Sequence, residues 1–376
     1  MITLIGCLTL VVLLILGTPV AFAMAIAGAV GLYMIGGLAM VLGILKTTAF
    51  SAANSYEIIT IPMFILMAEF VILSGVADDL FTAASAWIGR LRGGLAMATA
   101  IAGAGFGAIS GSSTAAAATL ASTTVPAMLK QGYEPKLATG VVAISGTLAM
   151  LIPPSIALIL YGIIADVSIG DLLIGGVIPG ILVTIAIILT VAFLVWQDPG
   201  RAPAGRSYTM MEKIRALKVV GPLLVLFAAV TGSIYLGVAT PTEASGIGAF
   251  GAMLLALWER KLTLSTLRTA LIDATRTSCM IVMIILGAHI FGYFFTLTQT
   301  TQDLVRIVGD LNVSRWMIIA LILFGYIVLG FFMDQIAILI LTVPVVLPVV
   351  IALGFDPIWF GVIVIVTAEV GMVTPP

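Results

Sequence analysis

Two clusters of hydroxyl-bearing, small and acidic residues have the composition of an ion site. The first is Ser110-Gly111-Ser112-Ser113, followed by Thr147 and by Ile152-Pro153-Pro154-Ser155. The second is Asp334-Gln335, followed by Thr367, Glu369 and Thr374-Pro375-Pro376. Proline inside a helix frees carbonyls of the preceding turn, because it has no N–H and its ring crowds that turn. Freed carbonyls, hydroxyls and a carboxylate are the oxygen donors that hold a sodium ion between discontinuous helices. The expected Na+ ligands are Ser112, Ser113 and Pro153 in the first cluster, and Asp334 and Thr374 in the second.

The same pattern suits an organic anion. Half-helices starting after Ser113 and after Pro154 aim unsatisfied N–H groups and positive dipole ends at one region, and Ser155 adds a hydroxyl. No arginine falls in a midplane element, so dipoles, hydroxyls or sodium must hold a carboxylate. Competing readings stay open at several positions. Ala115 to Ala118 fit close helix packing better than ligation, whereas Ser112 and Ser113 fit ligation or capping beside an ion. Asp334 is an ion ligand, a buried structural pair or a protonated acid, since a carboxylate at the bilayer centre costs roughly 2.5–3.5 kcal/mol on insertion scales. Thr367 and Glu369 fit ligation, support of a ligand or plain packing equally well. Glu69 and the lone histidine, His289, read as structural groups of the bundle interior, with a proton relay as the alternative, and Glu243 as a helix-start carboxylate. Cys7 and Cys279 sit in apolar segments as packing residues.

The elements that position these clusters follow from composition. Hydrophobic residues make up 61% of the 376 positions and charged residues 9%, and the mean hydropathy is +1.27. A soluble globule is excluded. Continuous apolar runs, rather than alternation, exclude a transmembrane β-barrel. The chain reads as an all-α polytopic membrane protein. Crossings of about twenty residues are expected near 2–17, 20–43 and 59–76, with 46–57 as an amphipathic connector. An interfacial helix at 78–92 precedes two short apolar halves over 95–130, which fit a re-entrant hairpin with its tip at Ser110-Gly-Ser-Ser113. A helix over 136–164, broken at Pro153-Pro154, and one over 172–196 complete the first half. The polar stretch 197–218 divides the halves. Then come 219–237, 245–258, a surface segment 260–276, a crossing 277–299, a surface segment 300–314, a second hairpin 315–351 and a last helix from Pro357. Lysine and arginine gather in cytoplasmic loops, and here segment counting places thirteen on one side and only Lys46, Arg306 and Arg315 on the other. The N-terminus is therefore expected outside, the first hairpin entering from the cytoplasm and the second from outside.

An internal repeat supports this layout. A shift of 222 residues carries Pro126 onto Pro348, Gly132 onto Gly354, Glu134-Pro135 onto Asp356-Pro357 and Pro153-Pro154 onto Pro375-Pro376. It also carries Ser112 onto Asp334, Ser145 onto Thr367 and Thr147 onto Glu369, predicting a second tip at Phe332-Met-Asp-Gln-Ile336. Two repeats of inverted topology, each with a hairpin and a broken transmembrane helix, are the construction of many secondary transporters.

Several motifs of the chain carry a family resemblance. Ile109-Ser-Gly-Ser-Ser-Thr-Ala115, Pro126-Ala-Met-Leu-Lys-Gln-Gly-Tyr133, Ile152-Pro-Pro-Ser155 with Tyr161-Gly162, and Gly176-Val-Ile-Pro-Gly180 resemble the large membrane (M) subunit of tripartite ATP-independent periplasmic (TRAP) transporters, DctM-like. So do Ile61-Pro-Met-Phe-Ile-Leu-Met-Ala-Glu69, Thr240-Pro-Thr-Glu-Ala244 and Glu369-Val-Gly-Met-Val-Thr-Pro-Pro376. The resemblance implies an elevator-type, sodium-coupled importer of an organic acid such as a C4-dicarboxylate or sialic acid, in the bacterial inner membrane. It implies a small membrane (Q) subunit and a periplasmic solute-binding (P) protein as partners, Na+ as coupling ion and no cofactor. Neither an enzyme activity nor a nucleic-acid partner is expected. On this reading 1–94 and 219–314 are scaffold, 95–196 and 315–376 form the mobile domain with the substrate between the two ion junctions, and 197–218 is a cytoplasmic linker. Such subunits continue past the second Pro-Pro, so the partner half of the last broken helix and a final crossing are expected to be missing. Proton coupling without a binding protein is the alternative. A hydrolase using a hairpin serine and His289 explains neither the repeat nor the doubled breaks.

Overall fold

The computed structural model describes residues 1–310 and 313–374. In chain order the α-helices are α1 (Ile2–Ile15), α2 (Val20–Ala53), α3 (Thr60–Ser74), α4 (Val76–Ile88), α5 (Gly94–Ser110), α6 (Ser113–Lys130), α7 (Pro135–Thr147), α8 (Ile156–Ala165), α9 (Ile169–Gln197), α10 (Met210–Tyr235), α11 (Pro241–Trp258), α12 (Leu264–Leu297), α13 (Thr300–Asp310), α14 (Arg315–Gly330), α15 (Gln335–Ala352) and α16 (Pro357–Val373). Among the described residues, six helical spans are long and apolar enough to cross a bilayer. α5, at 17 residues, extends only about 25 Å at 1.5 Å per residue, too short for a crossing. It pairs with α6 as a hairpin.

The helix ends of the two hairpins repeat with the spacing of the sequence. α6 begins at Ser113 and α15 at Gln335, and α7 and α16 begin at Pro135 and Pro357, each with proline in the first turn after an acidic N-cap, Glu134 or Asp356. Gly132 and Gly354, which end the hairpins, both have left-handed φ, +86° and +78°, a conformation nearly free for glycine alone. Each sequence shift of 222 thus reproduces a cap, a turn and a helix start.

Two expectations about surface segments are corrected. The connector at 46–57 is helical through Ala53, because α2 runs on past a break at Gly36 and Gly37, where φ is −138° and +67°. A 3-10 turn, Tyr56–Ile59, then enters α3. The surface segment 260–276 and the crossing 277–299 are one helix, α12, of 34 residues. No glycine or proline lies between Leu264 and Gly287, so nothing stops the interfacial helix from continuing into the span.

The chain divides into two compact units. One comprises Met1–Ile59, Leu160–Ser168 and Thr275–Pro376. Within it Gly28 lets α2 meet the backbone of α12, where a Cβ would stand 2.9 Å from Phe291 Cα. Phe294, fully buried, fills the space left by Gly6 and Gly31. α14 crosses α16 at glycines, and a Cβ on Gly330 would lie 2.7 Å from Gly371 Cα. Tyr161 packs over Gly361 and donates its hydroxyl to Pro357 O at 2.7 Å.

The other unit comprises Thr60–Ile159 and Ile169–Ala274. Here α5 lies against the end of α7, with a Cβ on Gly107 placed 2.7 Å from Ala149 Cα. The Tyr133 hydroxyl accepts Leu95 N–H at 3.1 Å at the hairpin base. The polar stretch 197–218 crosses that base as an ordered strap. Glu134 N–H donates to Arg201 O at 2.8 Å, Gly205 N–H donates to Gly89 O at 3.1 Å, and Ala202 is fully buried. An isolated antiparallel bridge joins Arg92 and Ala204. Lys261 Nζ donates to Ser74 O at 2.8 Å, capping the last turn of α3.

The glycine crossings make a direct test. Gly107→Ala and Gly330→Ala each force backbone apart, an overpacking that costs about 1–3 kcal/mol. Gly140 meets nothing within 4 Å, so Gly140→Ala, which replaces glycine inside a helix, gains up to about 1 kcal/mol. Thermal unfolding of the purified variants in detergent should rank Gly140→Ala at or above the parent and both others below it.

Candidate ion and substrate junctions

The first junction lies wholly within the second unit. Gly111, with φ +58°, ends α5 by returning its N–H to Gly107 O at 3.2 Å. Ser112 is extended and caps α6, its hydroxyl accepting Ala115 N–H at 3.4 Å. The tip sits on the helix break. A Cβ on Gly111 would stand 3.0 Å from Pro154 O and 3.3 Å from Ile156 N, so only glycine permits this approach. α7 tightens to a 3-10 turn, Leu148–Met150, and then opens through Leu151 to Ser155 before α8 begins. The Pro153-Pro154 peptide is cis.

The oxygens at this junction fall into two groups. Ser155 is committed to the fold, since its hydroxyl donates to Met150 O and accepts Leu158 N–H at 3.3 Å. Thr147 is likewise occupied, donating to Ile144 O at 2.7 Å. Ser110 and Ser113, each 2% exposed, have hydroxyls with no hydrogen-bond partner among the described residues. The carbonyls of Ile152, Pro153 and Pro154 accept no backbone hydrogen bond among the described residues. A buried hydroxyl without a partner costs about 1–3 kcal/mol, and a cation ligated by such oxygens would recover it.

The second junction lies within the first unit. α14 ends at Gly330 and α15 starts at Gln335, so the turn between them holds the predicted tip. Asp334 is exposed in this chain and caps α15, with Oδ2 accepting Ile336 N–H at 3.1 Å. Gln335 is fully buried. Its Nε2 donates to Ile365 O on α16 at 3.2 Å, while Oε1 has no partner among the described residues. Thr367 donates to Ile363 O at 2.7 Å, Glu369 is buried in α16, and Thr374 ends that helix with its hydroxyl on Val370 O at 2.7 Å. Pro375 and Pro376 lie outside the described residues.

The two junctions correspond atom for role. The caps Ser112 and Asp334 are repeat equivalents, and so are the next residues, Ser113 and Gln335. Each of those next residues is buried and presents one oxygen without a partner among the described residues. Sequence reasoning missed Ser145. It is fully buried, its hydroxyl lacks a partner among the described residues, and a Cβ on Gly103 would lie 2.8 Å from its own Cβ. A hydroxyl in a helix face otherwise made of small apolar residues was the available signal. Glu243 caps α11 as expected, with Oε2 accepting Thr240 N–H at 2.8 Å. His289 is exposed on α12 rather than enclosed.

Comparison with known proteins follows this geometry. The family profile "Tripartite ATP-independent periplasmic transporter, DctM component" matches residues 7–376. The chain is 34% identical over 328 residues to the C4-dicarboxylate TRAP transporter large permease protein DctM of Pseudomonas aeruginosa, covering 87% of this chain and 76% of that one. It is 30% identical over 384 residues to the protein of the same name from Rhodobacter capsulatus, covering 98% and 86%. Identity to the isethionate TRAP transporter permease protein DctMQ of Oleidesulfovibrio alaskensis is 31% over 366 residues, 96% of this chain but only 57% of that longer one. The crystal structure of the Alcanivorax borkumensis YdaH transporter superposes with a TM-score of 0.65 at 15% identity, over 90% of this chain and 77% of that one. At that identity the likeness concerns the fold alone.

The capping roles can be measured apart from transport. Ser112→Ala and Asp334→Ala each remove a helix N-cap, worth about 1 kcal/mol. Hydrogen exchange should accelerate about fivefold in the first turn of α6 or α15 respectively, while Asp334→Asn, which keeps the acceptor, leaves α15 near the parent rate.

Proposed function

This chain belongs to the DctM family of tripartite ATP-independent periplasmic transporters, a family of multi-pass large permeases for secondary transport of organic acids, and from that membership we propose sodium-coupled import by an elevator motion. The observation that carries the proposal is the repeated pairing of a helix break or end with a buried oxygen, at Ser113 and at Gln335, that has no partner among the described residues. One Na+ is held by Ser112, Ser113 and the carbonyls around Pro153, with Ser110 as a further hydroxyl. A second is held by Asp334, Gln335 and Thr374. Discontinuous helices are where secondary transporters bind their coupling ions. The segments 95–196 and 315–376 carry the ions and substrate across the bilayer against 1–94 and 219–314.

The substrate is a small organic acid. Relatives are named for C4-dicarboxylates, isethionate and ectoine, which share an acid group on a small polar body. Its anionic group is held by the N-terminal amides of α6 and α8, where helix dipoles favour negative charge. A small membrane subunit and a periplasmic solute-binding protein complete the transporter in the inner membrane. Each ion binds with positive coupling to the substrate, of the usual few kcal/mol.

Uptake into proteoliposomes holding the permease and its small subunit is the test. Uptake should require an inward sodium gradient and the solute-binding protein together. Ser113→Ala and Asp334→Ala should each raise the sodium concentration for half-maximal uptake about tenfold, equivalent to ~1.4 kcal/mol. Uptake driven by a proton gradient, with no need for the binding protein, would overturn the coupling. Unchanged sodium dependence in both variants would remove the ligand assignment.

A further inference from the structure

On the orientation expected from segment counting, only three of the sixteen cationic side chains fall on the outer side, and one of them, Arg315, is the first residue of the apolar helix α14. Cation bias in loops sets orientation from the cytoplasmic side, so topology gives no reason for a cation here. Among the described residues Arg315 makes no ion pair, and the first turn of α14 has no acidic residue. The helix dipole at that end opposes a positive charge.

The guanidinium is nonetheless held in place. It lies 5.3 Å from the ring centre of Phe355 and 5.8 Å from that of Trp316. These rings form one cluster with Trp359, which stacks on Phe355 at 5.2 Å, while Trp316 meets Phe355 edge-on at 5.0 Å. Cation–π contact orients the group without neutralising it. Next to the cluster on α14, Met317, Leu321 and Phe324 form an apolar stripe at helical spacing, 64%, 71% and 61% exposed.

We propose that Arg315, Trp316, Phe355 and Trp359 form a binding site for the phosphate of an anionic phospholipid in the outer leaflet, with an acyl chain lying along Met317, Leu321 and Phe324. A guanidinium matches phosphate by paired N–H donors, indoles settle at headgroup level, and the stripe selects a lipid over a free anion. An aromatic belt acting only as an anchor would show no preference between headgroups.

Native mass spectrometry of the full chain in detergent, titrated with equal amounts of phosphatidylglycerol or phosphatidylcholine, tests this. The parent should retain a phosphatidylglycerol adduct in preference to phosphatidylcholine. Arg315→Gln should weaken that adduct about fivefold, as expected for one basic residue at a membrane surface. Arg306→Gln should leave it unchanged, and Arg315→Lys should fall between. If Arg315→Gln does not fold, Trp316→Leu should also weaken the adduct by withdrawing a ring that holds the guanidinium. The proposal is overturned if the parent shows no headgroup preference, if the folded Arg315 or Trp316 variant retains the full adduct, or if inorganic phosphate at the lipid's concentration displaces it.

Discussion

Backbone N–H and C=O groups at membrane depth must find partners within the protein, since hydrocarbon offers none. That requirement makes the described chain helical and explains how the two interruptions at the first junction are built, each surrounded by other protein groups. The break between α7 and α8 is tolerable because Ser155 replaces two of the lost backbone partners, taking Leu158 N–H and giving its proton to Met150 O. The hairpin tip is tolerable because Gly111 and Ser112 cap both helix ends within two residues. Where capping is incomplete, as at Ser113 and Gln335, an oxygen is left without a partner among the described residues, and these are the atoms that the proposed ion sites use.

Close backbone approach is the second constraint, and glycine supplies it. Lipid tails are as apolar as the side chains they would replace, so helices in a bilayer associate through tight packing of small residues. Gly107 against Ala149 and Gly330 against Gly371 are the same crossing in the two repeats, displaced by one residue. A hairpin that must seat its tip on a neighbouring break needs such crossings on the way. The small-residue composition of 103–118 therefore reflects the geometry of the junction, consistent with packing as the reading of Ala115 to Ala118.

Much of this was legible in the sequence because helix starts are written in short local signals. Proline at 135 and 357, acidic caps at 134 and 356 and glycine at 132 and 354 each act within a turn, so a shift of 222 residues recovered both hairpins and both helix starts that follow them. The elements that went astray lacked local signals. Nothing in 264–286 announces whether an amphipathic helix stays at the surface or continues inward. The expected linker at 197–218 also makes contacts that no local signal announces. Its order comes from long-range bonds to Gly89 and Glu134, which composition does not encode. Ser145 was overlooked for a similar reason. A hydroxyl residue mid-helix ordinarily bonds back to its own preceding turn, as Thr99 and Thr124 do here, so a hydroxyl among small apolar residues is a weak signal until the fold shows that Ser145 makes no such bond.

The two junctions are alike in geometry and unlike in charge. Ser112 caps α6 with a neutral hydroxyl, whereas Asp334 caps α15 with a carboxylate that spends one oxygen on Ile336 N–H. A cation near the first cap meets only dipoles, and its attraction falls off steeply with distance and with competing water. Near the second it meets a formal charge, whose field reaches farther and weakens with salt. On the proposed sodium coupling the ion must also be released, which argues against enclosing it in fixed charges on both sides. Under the proposal, a neutral oxygen without a partner among the described residues at each junction, with an exposed carboxylate at the second alone, would hold an ion while leaving each ligand a cheap alternative in water. The same reasoning fits the sequence expectation that no arginine falls in a midplane element. A guanidinium there would need a permanent anionic partner, and an anionic substrate that became that partner would be difficult to let go.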